Sequence, residues 1–150
     1  MKKCCDNNIS QDQARELLTK NGLNRTKSKV EILVELSKAP TPLSVSELHQ
    51  QLGNTTCDVS TVFRSIGQFK EKGLIKELNL GEDFYRYEIA GTDAKPNPHH
   101  HHHVRCRQCG DIKLIEKCDI SIFEKMISKL GYAQMEHHLE FTGVCSKCSS

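Results

Sequence analysis

His99-His100-His101-His102-His103-Val104-Arg105-Cys106-Arg107-Gln108-Cys109-Gly110 is the stretch on which the reading of this chain turns. Neutral imidazole and thiolate are the side chains that borderline-soft metals such as zinc prefer. An internal position, five members rather than six, and a direct run into Val104-Arg105-Cys106 argue against an expression tag. A second Cys-x-x-Cys follows at Cys145 and Cys148. Two residues between cysteines let both sulfurs approach one tetrahedral ion, and Gly110 follows the first pair as a knuckle turn needs. Four sulfurs leave no open position for water. Cys106, Cys109, Cys145 and Cys148 are therefore expected to hold a structural Zn(2+). Residues 110–144 separate the pairs, so a strand-helix-strand excursion must return the second to the first. The alternatives are two unrelated thiol pairs or a redox Cys-x-x-Cys.

The histidines read as a strand leading into the first knuckle. Alternate side chains of a strand point to opposite faces. His99, His101 and His103 then face one way, and His100 and His102 the other, so one run can serve two sites. Glu88 can join His101 and His103, and His137 can join His100 and His102. The first set spans a hinge and would couple metal occupancy to the arrangement of two domains, making the metal a switch. The competing reading is a solvated His tract that binds metal adventitiously.

Composition narrows the class. Net charge is +2 over 150 residues, and the hydrophobic content is 37%. No apolar run approaches the length of a membrane span, and Met1-Lys2-Lys3-Cys4-Cys5-Asp6 lacks the apolar core of a signal peptide. A cytoplasmic location is expected, where thiols stay reduced, and the eight cysteines read as metal ligands or redox groups. Bulk charge does not announce a nucleic-acid partner. Locally, Lys20, Arg25, Lys27 and Lys29 occur without an intervening acid.

Upstream, capping residues and apolar periodicity mark four helices. Ser10 with Gln13 forms a capping box and Gly22 closes the first. Thr26 caps the second, which carries Val30, Ile32, Leu33 and Leu36 and stops at Pro40 and Pro42. Ser44 or Ser46 starts the third through Leu48 and Leu52. Asp58 or Ser60 starts the fourth, with Val62, Phe63, Ile66 and Phe69 inward and Gly73 at its end. Leu74–Leu78 and Phe84–Ile89 around Gly81 predict a β-hairpin. The fold expected is α+β: an N-terminal winged helix-turn-helix over residues 10–88, a hinge over 89–98, and a small α/β dimerisation domain with a structural zinc over 99–150. The second domain reads as strand (His103–Cys106), strand (Asp111–Ile115), helix (about Ile120–Leu130) and strand (His137–Thr142). It is too small to bury a generous core unaided, and a metal and a second copy would both supply what it lacks.

Together these residues resemble the ferric uptake regulator superfamily of bacterial metal-dependent repressors over about residues 12–148. The resemblance rests on Thr61-Val62-Phe63-Arg64, the His run, Cys106 to Gly110, and Gly143-Val144-Cys145-x-x-Cys148. It implies a homodimer that binds a palindromic operator on double-stranded DNA when loaded with metal. By position it implies regulatory interdomain ligands at Glu88, His101 and His103, and a second site at His100, His102 and His137. Departures matter. A family His aligns with Pro42, and a family acid, on which peroxide-sensing members rely, aligns with Leu114. Glu116, Cys118 and Asp119 all compete for the second site's helix-side ligand. Cys57 and Cys118 are extra thiols, and sulfur favours zinc over iron(II). The set looks more like the zinc-uptake branch, with an iron(II)-sensing repressor as the alternative. The regulatory cofactor is thus Zn(2+) or Fe(2+).

A winged helix places its recognition helix in the major groove. Ser60, Thr61, Phe63 and Arg64 are best placed for bases, although Phe63 reads equally as core. Arg25 and Lys27 suit the phosphate backbone. Two other classes compete. A metalloenzyme needs an open metal position and a substrate pocket, for which the second domain has little room, so no enzyme activity and no small organic substrate are expected. A His-rich storage or chaperone protein leaves the helix-turn-helix unexplained.

Overall fold

Each helix of the first half begins where a side chain caps it. For α1 (Gln11–Lys20), Ser10 Oγ accepts from the Gln13 N–H while the Gln13 side chain accepts from the Ser10 N–H, a reciprocal capping box. Thr26 caps α2 (Lys27–Lys38). For α3 (Val45–Leu52) the cap is Ser44 rather than Ser46, again in a box with Glu47. For α4 (Val59–Glu71) it is Asp58 rather than Ser60, accepting from the Thr61 N–H at 2.8 Å. Both chosen residues have the extended backbone that an N-cap requires.

The computed structural model describes residues 8–53, 57–90 and 101–149. The chain divides into two units, Met1–Lys95 and Pro96–Ser150. The expected hinge lies mainly outside the described residues, as do Cys4, Cys5, His99 and His100.

In the first unit, Leu18, Ile32, Leu33, Leu48, Val62, Ile66 and Phe69 bury the inner faces of the four helices in one core. The hairpin β1 (Ile75–Leu78) and β2 (Arg86–Ile89) closes it with Ile75, Tyr87 and Ile89, in antiparallel register Ile75↔Ile89 and Leu78↔Arg86. Leu43 adds a bridge to Tyr87, through N–H···O bonds of 3.0 and 2.8 Å, ahead of α3. This is a winged helix-turn-helix. Its second strand starts at Arg86, two residues later than the pattern predicts, because Phe84 and Tyr85 are exposed and Arg86 turns inward.

Arg86 is a buried guanidinium with a full set of acceptors. It donates to Glu82 (2.5 and 3.0 Å), to Glu47 (2.7 Å) and to the Pro42 carbonyl (3.2 Å), and lies over the Phe84 ring. Burial pushes the Glu47 carboxyl up, but hydrogen bonds from Ser44 and Arg86 outweigh it and hold the group below its usual value. One side chain thus ties the wing to the start of α3.

The second unit is a three-stranded sheet ordered β4-β3-β5, from β3 (His102–Cys106), β4 (Ile112–Ile115) and β5 (Glu140–Gly143), with α5 (Ser121–Lys129) between β4 and β5. β4 pairs antiparallel with β3, and β5 pairs parallel with it. The last strand begins at Glu140 rather than at His137, and the Leu139 carbonyl is engaged by the His102 ring instead. α5 buries none of its residues: Ile122, Phe123, Met126, Ile127 and Leu130 stand exposed. Among the described residues, no helix is long and apolar enough to cross a membrane.

Removing Arg86 takes its guanidinium away from the buried Glu82 carboxylate. Arg86→Ala is predicted to destabilise the first unit by about 3–5 kcal/mol, read as a shift in the denaturation midpoint. A loss below about 1 kcal/mol would make the ion pair a surface-type one.

Candidate metal centres and nucleic-acid interface

Parallel strands need a crossover of a dozen or more residues, usually with a helix. β4 and α5 supply that crossover, which explains the long interval between the two cysteine pairs. The β3–β5 register sets Cys106 opposite Gly143, so each knuckle leaves the sheet at the same end. Gly110 adopts φ +76° and donates to the Cys106 carbonyl at 2.9 Å, folding the first knuckle. The Cys145 N–H donates to Cys106 Sγ at 3.3 Å.

The four sulfurs lie within 4.8 Å of one another, with Cys109 Sγ and Cys145 Sγ 3.7 Å apart. Two sulfurs bound tetrahedrally at the usual zinc distance stand about 3.8 Å apart. The donor set and its spacing fit zinc with all four positions filled by protein. Backbone N–H groups of Cys109 and Cys145 hold the Cys106 thiol down at about 6, whereas hydrogen bonds to the Cys145 and Cys109 sulfurs push Cys148 up to about 12. Cysteine binds zinc as thiolate, so a metal entering here must displace thiol protons.

A second cluster forms at the opposite end of β3. His102, Cys118 and His137 bring their ligand atoms within 4.8 Å of one another. Of the candidate helix-side ligands, the structure brings Cys118 into this group and leaves Glu116 and Asp119 outside it, exposed. Asp119 accepts from the Ser121 hydroxyl at 2.8 Å. His101 and His103 lie edge to face, ring centroids 5.1 Å apart, on the alternate set of positions from His102. Glu88 belongs to β2 of the first unit, opposite Lys76. His100 lies outside the described residues.

Pro42 is fully buried and gives its carbonyl to Arg86, while Leu114 sits exposed on β4 opposite His103. Neither supplies a side-chain ligand. Cys57 is half-buried against the first core, where burial pushes its thiol up, as suits a small apolar residue. His49 bonds the Cys57 carbonyl at 3.1 Å.

The outer face of α4 is open. Ser60 and Arg64 are exposed, and Phe63 is 65% exposed, so Phe63 takes no part in the core. Thr61 is half-buried, its hydroxyl donating to Asp58 at 3.1 Å as part of the cap. Arg25 and Lys27 are exposed at the start of α2. The sequence reading passed over Val59, exposed in the first turn of α4, and the exposed wing aromatics Phe84 and Tyr85. Only the adjacency of two aromatics to the polar Gly81-Glu82-Asp83 turn could have flagged the latter pair.

Comparison with known proteins agrees with this anatomy. The profile of the family described as "Ferric uptake regulator family" matches residues 20–142. The chain is 28% identical over 134 residues to the peroxide-responsive repressor PerR of Staphylococcus aureus strain Mu50, covering 87% of this chain and 86% of that one. Its fold resembles that of the Helicobacter pylori ferric uptake regulator, with a TM-score of 0.75 and 24% identity over 96% of this chain and 97% of the other. It also resembles the Vibrio cholerae ferric uptake regulator, with a TM-score of 0.72 and 25% identity over 87% and 98%.

Cys148→Ala is predicted to remove one tightly held zinc per chain and the thermal transition of the second unit, leaving the helical signal of the first. Elemental analysis and circular dichroism read the two effects. Zinc uptake by metal-free wild type should release protons and weaken as pH falls from about 8 to about 6. A pH-independent affinity would rule out thiolate ligation.

Proposed function

Because the chain belongs to the ferric uptake regulator family, we propose that it is a metal-responsive DNA-binding repressor whose regulatory metal is zinc. It acts in the cytoplasm as a homodimer on a palindromic operator. The observation that carries this reading is the combination in one chain of a winged helix with an open α4 face and a second unit rich in convergent imidazole and thiolate. Neither part alone explains the other.

In this reading Arg64 and Phe63 enter the major groove with Ser60 and Thr61, and Arg25 and Lys27 hold phosphates. Glu88, His101 and His103 form the regulatory set, and His100, His102 and His137 serve the second site. Four thiolates at the knuckles are a structural site with no position open for catalysis. A peroxide response is disfavoured, since Leu114 stands where the family's acid would. Zinc is preferred to iron(II) because the chain adds thiol to imidazole.

The exposed apolar residues of α5, together with exposed Leu139 and Phe141, support the dimer. A face of this kind on so small a unit calls for a partner, and a second copy covers it symmetrically.

Gel shifts on the chain's own promoter, run with zinc, iron(II), manganese(II) and a chelator, test the assignment. Binding is expected with zinc and is expected to be lost on chelation. Restoration by iron(II) alone would reassign the metal. Arg64→Ala is expected to weaken operator binding by at least about tenfold, with zinc content and dimerisation unchanged. Phe123→Asp together with Leu130→Asp is expected to give a monomer by sedimentation and to abolish the operator shift. A dimer that persists in that variant would move the interface elsewhere.

A further inference from the structure

We infer that Arg86, Glu47 and His49 form a strut linking Glu88 on β2 to the capped start of α4, and that they are positioning residues for metal-dependent operator binding. The inference rests on the reading above, in which Glu88 is a regulatory ligand and the outer face of α4 meets DNA. Every link lies within the first unit. Tyr87 and Ile89 of β2 turn into the core. Alternate residues of a strand share a face, so Arg86 and Glu88 lie together on the other one. The guanidinium is therefore the neighbour of the carboxylate along that face.

Arg86 fastens the strand to the entry of α3. It donates to the Pro42 carbonyl at 3.2 Å and to Glu47 at 2.7 Å. Beside it the Tyr87 and Leu43 backbones exchange hydrogen bonds of 2.8 and 3.0 Å. Glu47 Oε2 also accepts from the Ser44 N–H at 2.8 Å, so the oxygen that meets Arg86 is the one that closes the α3 cap. Further along α3, His49 Nε2 lies 3.1 Å from the Cys57 carbonyl. A carbonyl only accepts, so the imidazole donates. Cys57 immediately precedes Asp58, the N-cap of α4. Leu48 of α3 shares the core with Val62 and Ile66 of α4.

A displacement of β2 thus reaches α4 through fixed contacts rather than through a loop that could absorb it. Residues 42–49 are tied to the strand at one end and to the start of α4 at the other. Ser60, Phe63 and Arg64 ride on the first two turns of that helix. Base readout needs such side chains at hydrogen-bond distance from the base edges, so a small change in the set of the helix changes affinity. An ion holding Glu88 would fix β2, and the strut would fix α4 with it.

Operator affinity tests the strut in the full-length protein. Fluorescence anisotropy on the chain's own promoter is run with zinc sufficient for the four-cysteine site alone, and again with zinc in excess. The readout is the gain in affinity between the two conditions. Couplings between sites are typically about 5- to 150-fold, and changes within a coupling network alter them by about 2- to 30-fold. Glu47→Gln keeps a capping-box residue at its position but removes the charge that meets Arg86. It is expected to cut the gain at least about threefold. His49→Leu is expected to do the same, and His49→Gln, whose amide also donates, to restore the gain. Leu18→Val, a core truncation on α1 outside the strut, controls for lost stability and is expected to keep the wild-type gain. Circular dichroism reports folding throughout. Equal losses under both zinc conditions in Glu47→Gln and His49→Leu, with the gain unchanged, would make these contacts structural only and overturn the proposal. A full gain in Glu88→Gln would remove the strut's starting point and overturn it as well. A wild type that binds the operator equally under both conditions would defeat the regulatory reading itself, and the strut's role with it.

Discussion

The parallel pairing of β3 with β5 is the constraint on which the second unit depends. Parallel pairing forces a long crossover, and the crossover places a helix and a strand between two segments that must meet. In a larger domain a hydrophobic core would hold such a connection closed. Here α5 buries none of its residues and the sheet has three short strands. The four cysteines stand where the missing core would act, one pair at the end of each parallel strand, with spacing suited to zinc. Binding energy at such a site is folding energy, since the unfolded chain has no preformed site to compete.

The His102, Cys118 and His137 cluster stands at the other end of the same strand pair. One cluster brackets the start of β3 and the approach to β5, and the other brackets their ends. Cys118 also lies three residues ahead of α5, so an ion held there would pin the helix that carries Ile122, Phe123 and Leu130.

Much of this was legible in the sequence because it is local. Caps announce helices through a residue and its partner three positions on, and Ser10 with Gln13 does so without help from the rest of the fold. Cys-x-x-Cys-Gly carries its own turn geometry. What the sequence hid is what only tertiary structure decides. Ser44 and Ser46 are chemically equal candidates, and the choice follows from Glu47 reaching back while also meeting Arg86. Arg86 itself read as an alternating strand residue, whereas it is buried by Glu82 on the same hairpin and by two acceptors from far along the chain, Pro42 and Glu47. The inward position of Phe63 in the helical pattern was misleading for the opposite reason. A helix at the edge of a small unit buries only part of its apolar periodicity, and 63 falls on the open side. His137 read as strand by alternation, yet the strand starts after it, with the Leu139 carbonyl serving an imidazole rather than a ladder.

The two departures from the family pattern carry different weight once they are seen in place. Pro42 is fixed by packing: its side chain is fully buried, so a ligand side chain at this position would have to fit the space the ring fills. Leu114 is exposed on β4, where an acid would meet no packing obstacle. Both positions are nonetheless without donors. Cys118 stands in a different group, with His102 and His137, so the missing donors and the added thiol bear on separate sites. Hard, weakly held ions lose most from the missing oxygen, and zinc gains most from the thiolate. Selectivity in such a site is thus carried by the donor side chains rather than by the fold that places them.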